Sequence, residues 1–100
     1  MANYRLTREA DADMVEIARY TRETWGEAQR DKYINELFQL FEEIASNPMK
    51  GRRMKFRREG IRRQLHPARL HGAYYRMAAD GVPEILRVLH AKQDQRRAFG

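Results

Sequence analysis

His71, Tyr75, Arg87 and His90 all fall within the run "RLHGAYYRMAADGVPEILRVLHAKQD", residues 69 to 94. These are the residue types that metal-free RNA cleavage needs: a base near the 2′-hydroxyl, a cation for the phosphate charge and an acid for the leaving oxygen. Arg63 and Arg76 could supply further cations. Strand alternation works against convergence, because it puts Arg87 and His90 on opposite faces. His71, Tyr75 and His90 share a parity along their own strands, but pairing register is not readable from sequence. The non-catalytic reading has His90 and Arg87 anchoring the sheet end through hydrogen bonds to the start of the tail, near Asp94.

Other chemistries have less material. The chain has no cysteine, which removes disulfides, thiolate zinc sites and a Cys nucleophile, and suits a reducing cytoplasm. The three histidines lack zinc-ligand spacing, so no metal is expected. Gly51, Gly60, Gly72 and Gly81 stand singly and form no phosphate loop, so no cofactor is expected either. No apolar run approaches the roughly 18 residues of a membrane span, and "MANYRLTREADAD" lacks the apolar core of a signal peptide. A cytoplasmic protein without membrane contact is the expectation.

The elements that must position those side chains read as follows. "NYRLT" alternates as a short strand does. Thr7 can cap a helix over residues 8–24, with Glu9 and Asp11 in its first turn and Ala10, Met14, Ile17, Ala18, Thr21 and Trp25 on one side. Gly26 marks a reversal. A second helix runs from about Glu27 to Ser46, with a stripe of Ile34, Leu37, Phe38, Phe41, Ile44 and Ala45, and Asn47-Pro48 closes it. Tyr33 and Leu40 widen that stripe to about 160°, beyond what facing one core requires. Either this helix is buried on two sides, or an edge of it awaits a partner.

After "NPMKGRRMKFRREG" the period switches to two. Residues 61–66, 69–78 and 83–91 read as strands separated by Pro67 and the Ala79-Asp80-Gly81 turn. In the last strand, alternation places Ile85, Arg87 and Leu89 opposite Leu86, Val88 and His90. Only one sheet face can lie against the helices, so the other is expected to be partly open. The whole, residues 1–100, is expected to be a single two-layer α+β domain ordered β-α-α-β-β-β with a short tail.

Charge divides the chain. Residues 1–50 hold seven Lys/Arg against ten Asp/Glu, a net of −3; residues 51–100 hold thirteen against four, a net of +9. Such a split implies a surface for an anionic partner, through phosphates or an acidic protein. "KGRRMKFRREGIRR" alone carries eight cations between Lys50 and Arg63. As a nucleic-acid patch it would contact phosphates without reading sequence. Aromatic interleaving is thin, Phe56 alone. The tail "AKQDQRRAFG" is either a target contact or a capping turn whose Phe99 closes the core.

Four pieces in order resemble the ParE branch of the RelE/ParE toxins of bacterial type II toxin–antitoxin systems: "YRLTREADADMVEIARYTRETWG", "IASNPMKGRR", "LHGAYYRM" and "ILRVLHAKQD". The resemblance implies an antiparallel-rich sheet packed on a helical hairpin. It also implies an antitoxin, usually ParD-like, that wraps the body, with a toxin–antitoxin heterotetramer or larger assembly possible. The best-known target in this branch is DNA gyrase trapped on cleaved DNA; in the RelE branch it is ribosome-bound mRNA. RelE-type nucleases have an arginine where this chain has His71, and a tyrosine after the last strand where this tail has only Phe99. Glu59 and Glu84, the glutamates of this half, suit no histidine–glutamate pair.

The resulting expectation is a gyrase-poisoning toxin without a reaction of its own. Alternatives are a ribosome-dependent ribonuclease using His71, Tyr75, Arg87 or His90, and an inactive antitoxin-binding module. Antitoxin contacts are expected at Tyr33, Leu40, Arg52, Arg53 and Arg63. Target contacts are expected at Lys92, Arg96, Arg97 and Phe99.

Overall fold

The computed structural model describes residues 3–99. Strand β1 (Arg5–Leu6) leads into α1 (Arg8–Trp25), whose N-cap is Thr7. The Thr7 hydroxyl accepts the Ala10 N–H at 3.1 Å and donates to the Leu86 carbonyl at 2.8 Å, so one side chain both starts the helix and fixes it to the last strand. Gly26, at φ 95°, reverses the chain into α2 (Glu27–Ser46). That backbone region is open to glycine and strained for other residues. The two helices form the expected hairpin.

Strands β2 (Arg52–Arg53), β3 (Arg62–Leu65), β4 (His71–Met77) and β5 (Pro83–His90) follow, and a short helix α3 (Gln95–Phe99) ends the described chain. The five-stranded sheet has the order β1-β5-β4-β3-β2. β1 runs parallel to β5, and the other three pairings are antiparallel. β3, β4 and β5 lie where the period-two pattern predicts strands, whereas β2 and α3 carry no such pattern. Arg52-Arg53 has no apolar alternation; it is a strand only because Arg52 and Arg53 pair with Arg63 and Arg62.

Strict alternation in β5 fails, for a physical reason. Tyr74 opposes Arg87 while Tyr75 opposes Ile85, leaving Leu86 as an extra residue in a bulge. The bulge resets the phase. Ile85 and Val88 join the core beneath the helices with Leu37, Phe41, Ile44, Ala73 and Tyr75, whereas Leu86 and Leu89 face the other way.

The other face is not open. Leu86 and Leu89 meet Ile61, Tyr74 and Phe99 in a second buried cluster, with Met54 and Phe56 packed on it from the β2–β3 connector. Phe99 is 1% exposed, so its assignment as a target contact does not hold in this structure. It plugs the second core, the capping alternative. Leu40 is corrected likewise: at 3% exposure it belongs to the main core, because α2 is covered on two sides within the monomer. Trp25 and Phe38, expected inside, are exposed. Trp25 has the right periodicity but lies in the last turn of α1.

Tyr75 holds the chain between α2 and β2. Its hydroxyl donates to the Pro48 carbonyl at 2.6 Å and accepts from the Gly51 N–H at 3.1 Å. The Arg62 guanidinium donates to the carbonyls of Gly51 and Met49, at 2.7 and 3.2 Å. A Cβ on Gly51 would collide with the Tyr75 hydroxyl and lie 2.9 Å from two ring carbons. Gly51→Ala should therefore cost on the order of 2 kcal/mol, the usual scale of overpacking, and lower the melting temperature by about 10 °C. Calorimetry checks this; an unchanged melting temperature would mean that the Tyr75 ring steps aside freely.

Candidate functional site

Two concave surfaces stand out among the described residues. A groove of about 780 Å³ lies between the hairpin and the ends of β4 and β5. Ile17, Tyr20 and Trp25 of α1 line it with Leu70 and Val88. Tyr20 is 62% exposed, Trp25 70% and Leu70 50%, so these large apolar side chains meet solvent around one hollow. Clustered exposure of this kind marks an interaction site far more often than scattered apolar residues do. Tyr33 also lines the groove but is itself buried. It supports the groove and is not the exposed contact that the wide apolar arc of α2 predicts. Periodicity located the apolar arc of α2, but nothing in the pattern told that the free edge belonged to α1.

His71 and His90 line the same groove. They are register partners on β4 and β5, with ring centroids 5.1 Å apart and planes at 88°. Tyr33 Oη and His71 Nδ1 share a 2.6 Å hydrogen bond. Burial, helped by Glu36, pushes the Tyr33 phenol up to about 12. Burial, helped by nearby His90 and His66, pushes His71 down to about 4. At neutral pH both are uncharged, and we assign the phenol as donor to Nδ1, which puts the imidazole proton of His71 on Nε2. His90 is fixed by the Lys92 N–H, which donates to its Nδ1 at 3.1 Å. Its proton is therefore also on Nε2 when neutral.

That arrangement limits the chemistry. Each imidazole already spends its acceptor nitrogen on a protein donor, so neither offers a free lone pair to a substrate hydroxyl. Tyr75 is buried, with its hydroxyl committed to Pro48 and Gly51. Arg87 donates from Nε and Nη2 to the two Asp13 carboxylate oxygens at 2.7 and 2.9 Å, and Asp13 also accepts the Val88 N–H at 2.9 Å. The expected anchoring of Arg87 near Asp94 is thus replaced by an anchor on α1. His90 does fasten the sheet end, through Lys92 and through its own N–H to Gln93 Oε1 at 2.7 Å. Of the four residues considered for RNA cleavage, the fold brings His71 and His90 together, and ties Tyr75 and Arg87 elsewhere.

His71 also makes stability depend on pH. Its folded value lies near 4 against 6.5 for the free group, so the unfolded chain takes up the proton first. Its contribution is complete above pH 6.5 and is lost as the pH falls toward 4. Between pH 7 and 5 the loss should be on the order of 1–2 kcal/mol after allowance for partial solvent screening. Urea titrations across that range should show it, and His71→Gln should flatten it. An equal slope in the variant would place the titration elsewhere.

The second surface is a cleft of about 520 Å³ between β2 with its connector and the tail. Arg52, Arg53 and Lys55 line one side and Arg96 the other. Arg63, expected beside them as a contact residue, is half-buried, its side chain crossing Gly72 with Nε out of solvent. Lys92 and Arg97 are exposed. No helix of the described residues is long and apolar enough to cross a membrane.

Comparison with known proteins agrees with this architecture. A family profile described as the ParE toxin of type II toxin–antitoxin systems, parDE, matches residues 4–95. The chain belongs to the ParE toxin family. Toxin ParE1 of Caulobacter vibrioides is 38% identical over 101 residues, covering 100% of both chains. Toxin ParE1 of Mycobacterium tuberculosis is 33% identical over 93 residues, covering 93% of each. A chain from the structure titled "Chromosomal ParDE TA system from P. aeruginosa" superposes with a TM-score of 0.75 at 18% identity, covering 92% of this chain and 100% of that one. This last likeness speaks to the ParE fold alone.

Proposed function

We propose that this ParE-family toxin acts by holding a macromolecule, DNA gyrase, in a blocked state in the cytoplasm, and that it breaks no bond itself. The observation that carries this reading is the commitment of its candidate catalytic groups. Both imidazoles have their acceptor nitrogens occupied, Tyr75 is locked to the chain at 48–51, and Arg87 is locked to Asp13. A ParD-like antitoxin silences the toxin by seating an apolar-faced segment in the groove of Tyr20, Trp25 and Leu70. The imidazole Nε2–H groups there would serve as donors to the partner's carbonyls or carboxylates. Two such toxin–antitoxin pairs joining through the antitoxin give the heterotetramer.

The test is to express the chain alone in bacteria and assay the purified protein in two ways. Inhibited gyrase supercoiling with accumulated cleaved DNA supports the proposal. Ribosome-dependent mRNA cleavage with untouched gyrase would overturn it, and a harmless chain would favour an antitoxin-binding module that has lost its target.

A further inference from the structure

The basic cleft has a composition unlike that of the groove. Arg52, Arg53, Lys55 and Arg96 line it, with Phe56 half-buried beside them and Asp94 as its carboxylate. Asp94 accepts the backbone N–H of Arg96 at 3.1 Å and so caps the start of α3. Among the described residues, none of these four cations lies within 4 Å of a carboxylate. Arg5, Arg19, Arg30, Arg76 and Arg87 all do. Arg8, Arg22, Arg57, Arg58 and Arg97 are likewise exposed and without a carboxylate at that distance, so what marks this set is that four such cations line a single cleft.

We propose that this cleft binds a nucleic-acid backbone, its cations contacting successive phosphates. The chemistry favours phosphodiester over an acidic protein. Arginine supplies three of the four charges, and its planar fork fits phosphate oxygens in pairs. Protein partners draw most of their affinity from apolar anchors in apolar pockets, which the groove offers and the cleft does not. Nucleic-acid interfaces are more polar and much more positive, as this lining is. The cations come from a sheet edge and a helix that the second core joins through Phe56, Tyr74 and Phe99, so their spacing is fixed before binding. With one ring and no further aromatic platform, the cleft reads charge and not bases, and single strands gain little over duplex. The inference goes beyond gyrase inhibition: a toxin that still poisons gyrase but binds no nucleic acid would defeat it alone.

The experiment is anisotropy of fluorescein-labelled duplex DNA, single-stranded DNA and RNA against the purified full-length toxin, from 50 to 200 mM salt. Four phosphate contacts on duplex predict a log–log slope near −3.6, about a hundredfold loss of affinity over that range. Binding of any of the three with a slope of this order supports the proposal, and the tightest identifies the source. Arg53→Gln with Arg96→Gln should lower the duplex slope by about 1.8 and weaken binding at least tenfold at 50 mM salt. Both residues are exposed, so melting temperature should not move; Arg8→Gln on α1 is the charge control and should bind as the parent does. No binding at 50 mM salt, a slope unchanged in the double variant, or displacement by polyglutamate as effective as by unlabelled DNA at equal charge would overturn the proposal.

Discussion

Phe99→Ala should destabilise the toxin by about 3–5 kcal/mol, the range for removing a buried aromatic side chain. For a domain of this size the melting temperature should fall by at least about 12 °C. The size of the effect follows from the neighbours. Phe99 stacks on Phe56 at 5.1 Å and lies against Tyr74 at 5.3 Å, and Ile61, Leu86 and Leu89 complete the cluster. Without that ring, α3 would lose its aromatic anchor and the second face of the sheet would meet water. Arg97→Ala, two residues earlier and exposed, should stay within about 0.5 kcal/mol of the parent. If Phe99→Ala melts like the parent, the tail is detached in solution and Phe99 is available to a target after all.

Trp25→Ala and Tyr20→Ala should each weaken antitoxin binding by about 30-fold, corresponding to roughly 2 kcal/mol for an aromatic anchor at an interface centre. Together they should cost between a hundredfold and a thousandfold, with the sum non-additive because both line one groove. Free-toxin stability should barely change, since the two side chains are 70% and 62% exposed. Calorimetric titration with the cognate antitoxin gives the affinities. Leu40→Glu makes the useful contrast: it should weaken the complex only by unfolding the toxin, because Leu40 sits in the core. Parent-like affinity in both aromatic variants would show that the antitoxin seats elsewhere.

Much of the fold was readable because it rests on local rules. Thr7 as a cap, Gly26 as a reversal, Asn47-Pro48 as a helix end and the Asp80-Gly81 turn each follow from one residue's chemistry, and each lies where expected. What escaped depends on distant parts of the chain. β2 is a strand by virtue of β3, and the Leu86 bulge exists because β4 and β5 differ by one residue in count, which no single strand reveals. The candidate site suffered in the same way. Parity grouped His71 with His90, and the register confirms that pair, but parity also grouped Tyr75 with them although its hydroxyl points its bonds to Pro48 and Gly51. Asp13, which fixes Arg87, looked like one more solvated carboxylate on a helix. The basic run was visible as charge, while its meeting with Arg96 in one cleft needed the tail to fold back.

The parallel pairing of β1 with β5 has a consequence for how this protein is made. Thr7 and Leu86, joined at that seam, are 79 residues apart. At translation rates of about 5–20 residues per second, the first strand waits roughly 4–16 s before its neighbour has been synthesised. The seam is also a contact of high order, which slows folding further. Phe99 arrives later still. A nascent chain therefore carries the hairpin long before it carries a finished sheet.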